Sequence, residues 1–199
     1  QRWVNRHLQF THGYGVAMSP VTEVSPGGRP SFFIKDVPPT GKIHLDRPEI
    51  YYGLKSLPFV IVRSDMKEFN YPGPEGPVYH RYDGHGGVPL SSLLRRLLYA
   101  WRFGDLNILI SAEINRDSRI QYRRTIAERF STVTPFLMRD RVAYAVVADG
   151  RLFFIQDAYT VTDRFPYSTP WEQRGFNYIR NSVKAVVDTY NGEIDVYVF

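Results

Sequence analysis

The 199-residue chain is 43% hydrophobic, 15% aromatic and 23% charged. That composition excludes disordered, collagenous and low-complexity classes and gives ample material for a buried core. It contains no cysteine, which excludes disulfides, thiolate zinc sites, iron–sulfur clusters and cysteine nucleophiles. The formal charge of +5 is local: Arg95 to Arg141 holds ten basic and five acidic residues, leaving 15 of each elsewhere, so this one segment can face an anion.

The chain opens on Gln1 and closes on Val-Tyr-Val-Phe199. It carries no signal peptide and no apolar run approaching the roughly 18 residues of a membrane span. A piece of a longer protein, soluble when isolated, is the expectation. Up to about residue 88, Pro and Gly punctuate short β-like runs at Ser31–Lys35, Ile50–Tyr52, Phe59–Arg63 and Glu68–Tyr71. Residues 72–87, rich in Gly and Pro, read as a flexible loop.

Three helices are predicted next. Leu90, Leu93, Leu94, Leu97, Leu98 and Trp101 repeat at the spacing of one apolar helix face, with Arg95, Arg96, Tyr99 and Arg102 on the other side. Core packing is the simplest role for the apolar face. Pro89 suits the start of this helix and Gly104 the left-handed position after its end. Asp105 caps a second helix to about Ser111, and the Ser118/Gln121 capping-box spacing opens a third to about Val133.

Two hairpins close the chain. Tyr144–Ala148 and Leu152–Ile155 flank Asp149-Gly150, and Val183–Tyr190 and Ile194–Phe199 flank Asn191-Gly192; both dipeptides favour type I′ turns. The two hairpins can share a sheet. The predicted class is α+β, a single domain over 1–199, mostly antiparallel sheet with hairpins near the C-terminus and a central group of about three helices.

Common catalytic signatures, among them the nucleophile elbow, the zinc-protease helix and the phosphate-binding loop, do not occur. His80, Asp83 and His85 form H-x-x-D-x-H in a Gly-rich loop, a residue set chemically suited to a zinc-like ion but more ordinarily a polar loop turning at Asp83-Gly84 with solvated histidines. His12 sits in Thr-His-Gly-Tyr-Gly, either as a proton shuttle beside a close backbone approach or as a turn histidine bonded to backbone. The arginine-rich helix can meet nucleic acid, anionic headgroups or water alone.

Several longer segments carry a resemblance: Phe10–Val16, Phe32–Pro38, Ile50–Gly53, Tyr82–Leu90, Leu93–Tyr99, Arg102–Leu109, Val147–Leu152, Asp157–Thr160 and Asn177–Gly192. Through them nearly the whole chain resembles the UPF0182 family of uncharacterised bacterial integral-membrane proteins. The resemblance implies several N-terminal transmembrane helices, absent here, followed by a large extracytoplasmic region of which this chain is part. Its implied partners are its own transmembrane helices, the membrane surface and an envelope protein, with no nucleic acid. No activity, cofactor, metal or catalytic residue accompanies the family. The expected function is a structural or partner-binding module at the extracytoplasmic face of the cell membrane, using His12, Asp83, His85, Arg95, Arg96 and Arg102. The alternative is an envelope hydrolase or metal-assisted enzyme built on His12, His80, Asp83 and His85.

Overall fold

The computed structural model describes residues 2–172 and 175–199. A short helical turn, Arg2–Val4, runs into a wider one at Asn5–Gln9, followed by two-residue strand pairs as far as Ile50. Phe59–Val62 then begins a three-stranded antiparallel sheet with Arg119–Tyr122 at its centre and Val88–Pro89 on the far edge. All four residues of Phe59–Val62 are buried. Alternation sends Phe59 and Ile61 to a core shared with Leu8, Leu90, Ala100, Ile108 and Ile120, and Val60 and Val62 to a cluster with Tyr51, Tyr52, Tyr82 and Tyr190.

The last third is a five-stranded antiparallel sheet. Met138–Arg139 and Tyr144–Ala148 pair with successive parts of Arg151–Thr162, which pairs with Tyr178–Asp188 and so with the edge strand Ile194–Val198. Along the longest strand Leu152, Phe154, Gln156 and Ala158 are buried in strict alternation. Helix Ile126–Val133 covers this face through Ile126 and Phe130. The class is therefore α+β with mostly antiparallel sheet, and both C-terminal hairpins share one sheet.

Local predictions fared unevenly. Asp149 and Gly150 both have positive φ (48° and 69°), as a type I′ turn requires. At the second hairpin Gly192 has positive φ (73°), but the turn is instead organised by Asp188, whose Oδ1 accepts from the N–H groups of Tyr190 (2.7 Å) and Asn191 (3.0 Å). Residues 72–87 are not a loop throughout, because Glu68–Gly73 and Gly76–His80 form an antiparallel hairpin. Pro89 lies in a strand rather than a helix, paired with Arg119. The helix starts at Leu93, where Ser92 Oγ accepts from Arg95 N–H (3.3 Å), and ends at Gly104 with φ of 63°.

The third predicted helix starts seven residues too early. Arg119–Tyr122 is the central strand, and Ser118 Oγ donates to Arg63 O (3.3 Å) rather than capping. The same Ser/Thr-x-x-Glu/Gln spacing recurs at Thr125 and Glu128, and there the cap forms: Thr125 Oγ1 accepts from Glu128 N–H (3.3 Å). Strand pairing on both sides of Arg119–Tyr122 outweighs a capping signal worth about 1 kcal/mol.

Candidate functional site

The Thr-His-Gly-Tyr-Gly segment leads into a buried polar knot. Thr11 and Tyr51 donate to Glu68 Oε2 (both 2.7 Å), and Tyr82 N–H donates to Oε1 (3.2 Å). Arg124 approaches the same two residues from their backbone ends, donating to Tyr51 O (2.7 Å) and Thr11 O (2.5 Å). Thus a buried anion and a buried cation are bound through one pair of residues. Burial by itself raises the Glu68 carboxyl pKa. The His12 ring 3.7 Å away and the Thr11, Tyr51 and Tyr82 hydrogen bonds bring it below the ordinary value. Burial lowers the Arg124 pKa to about 10.

His12 has no exposed side-chain surface. Its ring faces Thr11 Oγ1 (2.8 Å) and Asn70 Oδ1 (3.1 Å), and Asn70 in turn donates to Glu49 Oε1 (3.2 Å). The residue read as a turn histidine or a proton shuttle is therefore packed inside a hydrogen-bonded network. Its partners are side chains rather than backbone.

His80, Asp83 and His85 separate. His80 Nε2 and the Asp83 N–H both contact the Tyr190 hydroxyl (3.1 and 3.2 Å), which donates to Asp83 Oδ1 (2.5 Å). Arg47 grips both Asp83 oxygens (2.7 and 3.1 Å), and these hydrogen bonds hold the Asp83 pKa at about 2. His85 points elsewhere and meets Glu193 (2.8 Å). Among the described residues no group of three or more His, Asp or Glu side chains is placed to hold a metal. Burial lowers the His80 pKa.

The arginine helix overturns the expectation of a core-facing apolar stripe. Leu93, Leu94, Leu97, Leu98 and Trp101 are 50–82% exposed, while Leu90, ahead of the helix, is fully buried. The helix instead seats itself through Ala100, Tyr99 and Phe103 and through Arg96. Arg96 turns inward and donates to the carbonyls of Leu90 (3.2 Å), Ile114 (2.8 Å) and Asn115 (3.1 Å). Arg95 is exposed and reaches Pro89 O (3.3 Å), and Arg102 is exposed beside the Tyr122 ring (5.4 Å). At 100° per residue Arg95 and Arg102 flank one side of the leucine stripe. Leu106 and Ile110, 70% and 72% exposed, add apolar surface just beyond the helix. Periodicity revealed the stripe in the sequence but not its direction.

Among the described residues no helix is long and apolar enough to cross a membrane. The family profile described as "Uncharacterised protein family (UPF0182)" matches residues 1–199. A UPF0182 protein of Pelotomaculum thermopropionicum is 49% identical over 98% of this chain and 22% of its own length. One from Sulfurovum sp. is 49% identical over the whole chain and 22% of its own length, and one from Synechococcus sp. is 47% identical over the whole chain and 24% of its own length. The chain thus spans less than a quarter of the curated relatives it matches. No solved structure matches it significantly.

Proposed function

The chain belongs to the UPF0182 family, and from that premise we propose that it is a structural or partner-binding module of a longer membrane protein, resting on the extracytoplasmic membrane surface. One observation carries this reading: five large apolar side chains of helix Leu93–Phe103 face away from the body, flanked by the exposed Arg95 and Arg102. A helix with a leucine and tryptophan face and a cationic flank lies in the headgroup region with its apolar face down. Its arginines extend along that surface toward lipid phosphates. Isolated exposed apolar residues are ordinary, whereas a contiguous helical face of them marks an interaction surface.

Vesicle flotation tests the reading. The chain floats with vesicles of equal parts phosphatidylcholine and phosphatidylglycerol, and Trp101 emission shifts to the blue. Leu97→Glu and Trp101→Glu abolish flotation, and joint charge reversal of Arg95 and Arg102 weakens it in a salt-dependent way. Flotation unaffected by all of these changes would refute the membrane-surface role.

A further inference from the structure

Next to the stripe, the fold leaves arginines that it does not use. Most arginines here are committed: Arg47 to Asp83, Arg151 to Asp188, Arg96 and Arg119 to three carbonyls each, and Arg124 to the buried knot. Arg102 and Arg123 differ. Their guanidinium groups lie 5.4 and 5.9 Å from the centre of the Tyr122 ring, and neither forms an ion pair with a described residue.

Tyr122 and Arg123 are shared by two neighbouring clefts of about 300 Å³ each. The first also carries Arg102 and Glu128. The second is lined by Tyr52, Arg129, Val88 and Val133, and no lining residue among those described is acidic. Arg129 donates to the carbonyls of Gly192 and Arg123 while stacked 4.6 Å from the Tyr52 centroid, which fixes its cationic head against the wall. Beside this cleft the wholly buried Gln121 leaves both amide atoms without a partner among the described residues.

Backbone geometry separates the two consecutive arginines. Arg123 adopts φ of 51°, a left-handed conformation that costs a non-glycine residue roughly 1 kcal/mol or more and concentrates at functional sites. The kink follows strand Arg119–Tyr122. It sends Arg124 into the core and leaves Arg123 half-buried on the cleft wall.

We propose that the Tyr52–Tyr122 cleft binds the phosphate of an anionic lipid headgroup. Arg123 and Arg129 face the phosphate oxygens, the apolar lining of Val88, Val133 and Ile194 covers the glycerol portion, and Arg102 links the cleft to the leucine stripe. Arginine forks suit phosphate geometry, and the cleft has the size and mixed lining of a small-molecule site. Phosphate recognition stands on this geometry alone. The choice of lipid as its source rests on the membrane-surface reading above.

The test titrates the 199-residue chain with monomeric dihexanoyl phosphatidylglycerol and, separately, with inorganic phosphate, following backbone and arginine Nε resonances. The lipid is expected to move Tyr52, Arg123 and Arg129 signals. Arg123→Gln weakens its binding roughly tenfold, and Arg123→Lys restores part of it. Leu97→Glu retains this binding while losing vesicles. Unchanged lipid affinity in Arg123→Gln with a folded spectrum would overturn the site and leave the membrane reading intact. Inorganic phosphate binding as tightly as the lipid would overturn the lipid assignment. Headgroup binding at the cleft by a wild-type chain that ignores vesicles would sink the membrane reading and retain the phosphate site.

Discussion

The Glu68–Arg124 knot and the Leu93–Trp101 stripe reverse the usual placement of side chains. In the knot, two charged groups are buried at 1% and 5% exposure. On the stripe, leucines and a tryptophan face solvent. The knot is closed, since Thr11 and Tyr51 serve both charges. The stripe is open, since its five side chains are left at least half exposed. A buried charge with internal partners points to the architecture of this domain, and an apolar face without them points outside it.

The largest expected effect comes from breaking the closed side. Glu68→Ala leaves Arg124 and two hydroxyls in a dry interior, and removing one partner from such a network costs about 3–5 kcal/mol. Urea unfolding should show a large loss of stability or a chain that no longer folds. A midpoint like that of the wild type would mean the knot is peripheral after all.

Acid should act on the knot and on two histidines outside it, the buried His7 against the Phe59 ring and the half-buried His80 against Tyr190. The pKa values of His7 and His80 are lowered by burial, so the folded state favours their neutral forms. The stability they contribute is present above the unfolded value of about 6.5 and is lost as pH falls below it. Glu68, whose pKa is also lowered, contributes above an unfolded value of about 4.3 and loses that contribution as pH falls through its folded value. Unfolding midpoints measured from pH 8 to pH 3 should therefore decline in two stages. A rise on acidification would contradict both assignments.

Within one helix the comparison sharpens. Arg96→Ala removes three bonds to carbonyls and should cost roughly 1–3 kcal/mol, whereas Arg95→Ala should fall within about 0.5 kcal/mol of the wild type. Equal effects would erase the distinction between the seated Arg96 and the exposed Arg95. Equally small is the effect of Leu97→Glu, expected to leave thermal stability within about 0.5 kcal/mol. A leucine serving the core would instead cost about 2–5 kcal/mol on truncation.

What could be read from the sequence followed local chemistry. The Asp149-Gly150 turn, the Gly104 helix end and the pairing of both hairpins depend on neighbours in the chain, and all appear in the fold. The Arg119–Tyr122 strand was hidden because its partners lie 57 or more residues upstream, at Phe59–Val62, and at Val88–Pro89. A plausible capping spacing filled the gap. His12 drew attention through its glycines, yet the group that organises its surroundings is Glu68, 56 residues away, which no motif singles out. Arg123 was equally unmarked: the Arg-Arg pair is visible, but only the backbone kink separates a core residue from a cleft residue.

Strand Phe59–Val62 carries a further consequence. Its odd residues belong to the core beneath the arginine helix and its even residues to the tyrosine cluster. Sliding it by one residue would exchange the contents of both cores at once. Neither core can therefore anneal in a wrong register without spoiling the other, which binds the two into one cooperative folding unit. The leucine stripe is therefore displayed on a seated helix only in molecules whose tyrosine core is closed as well.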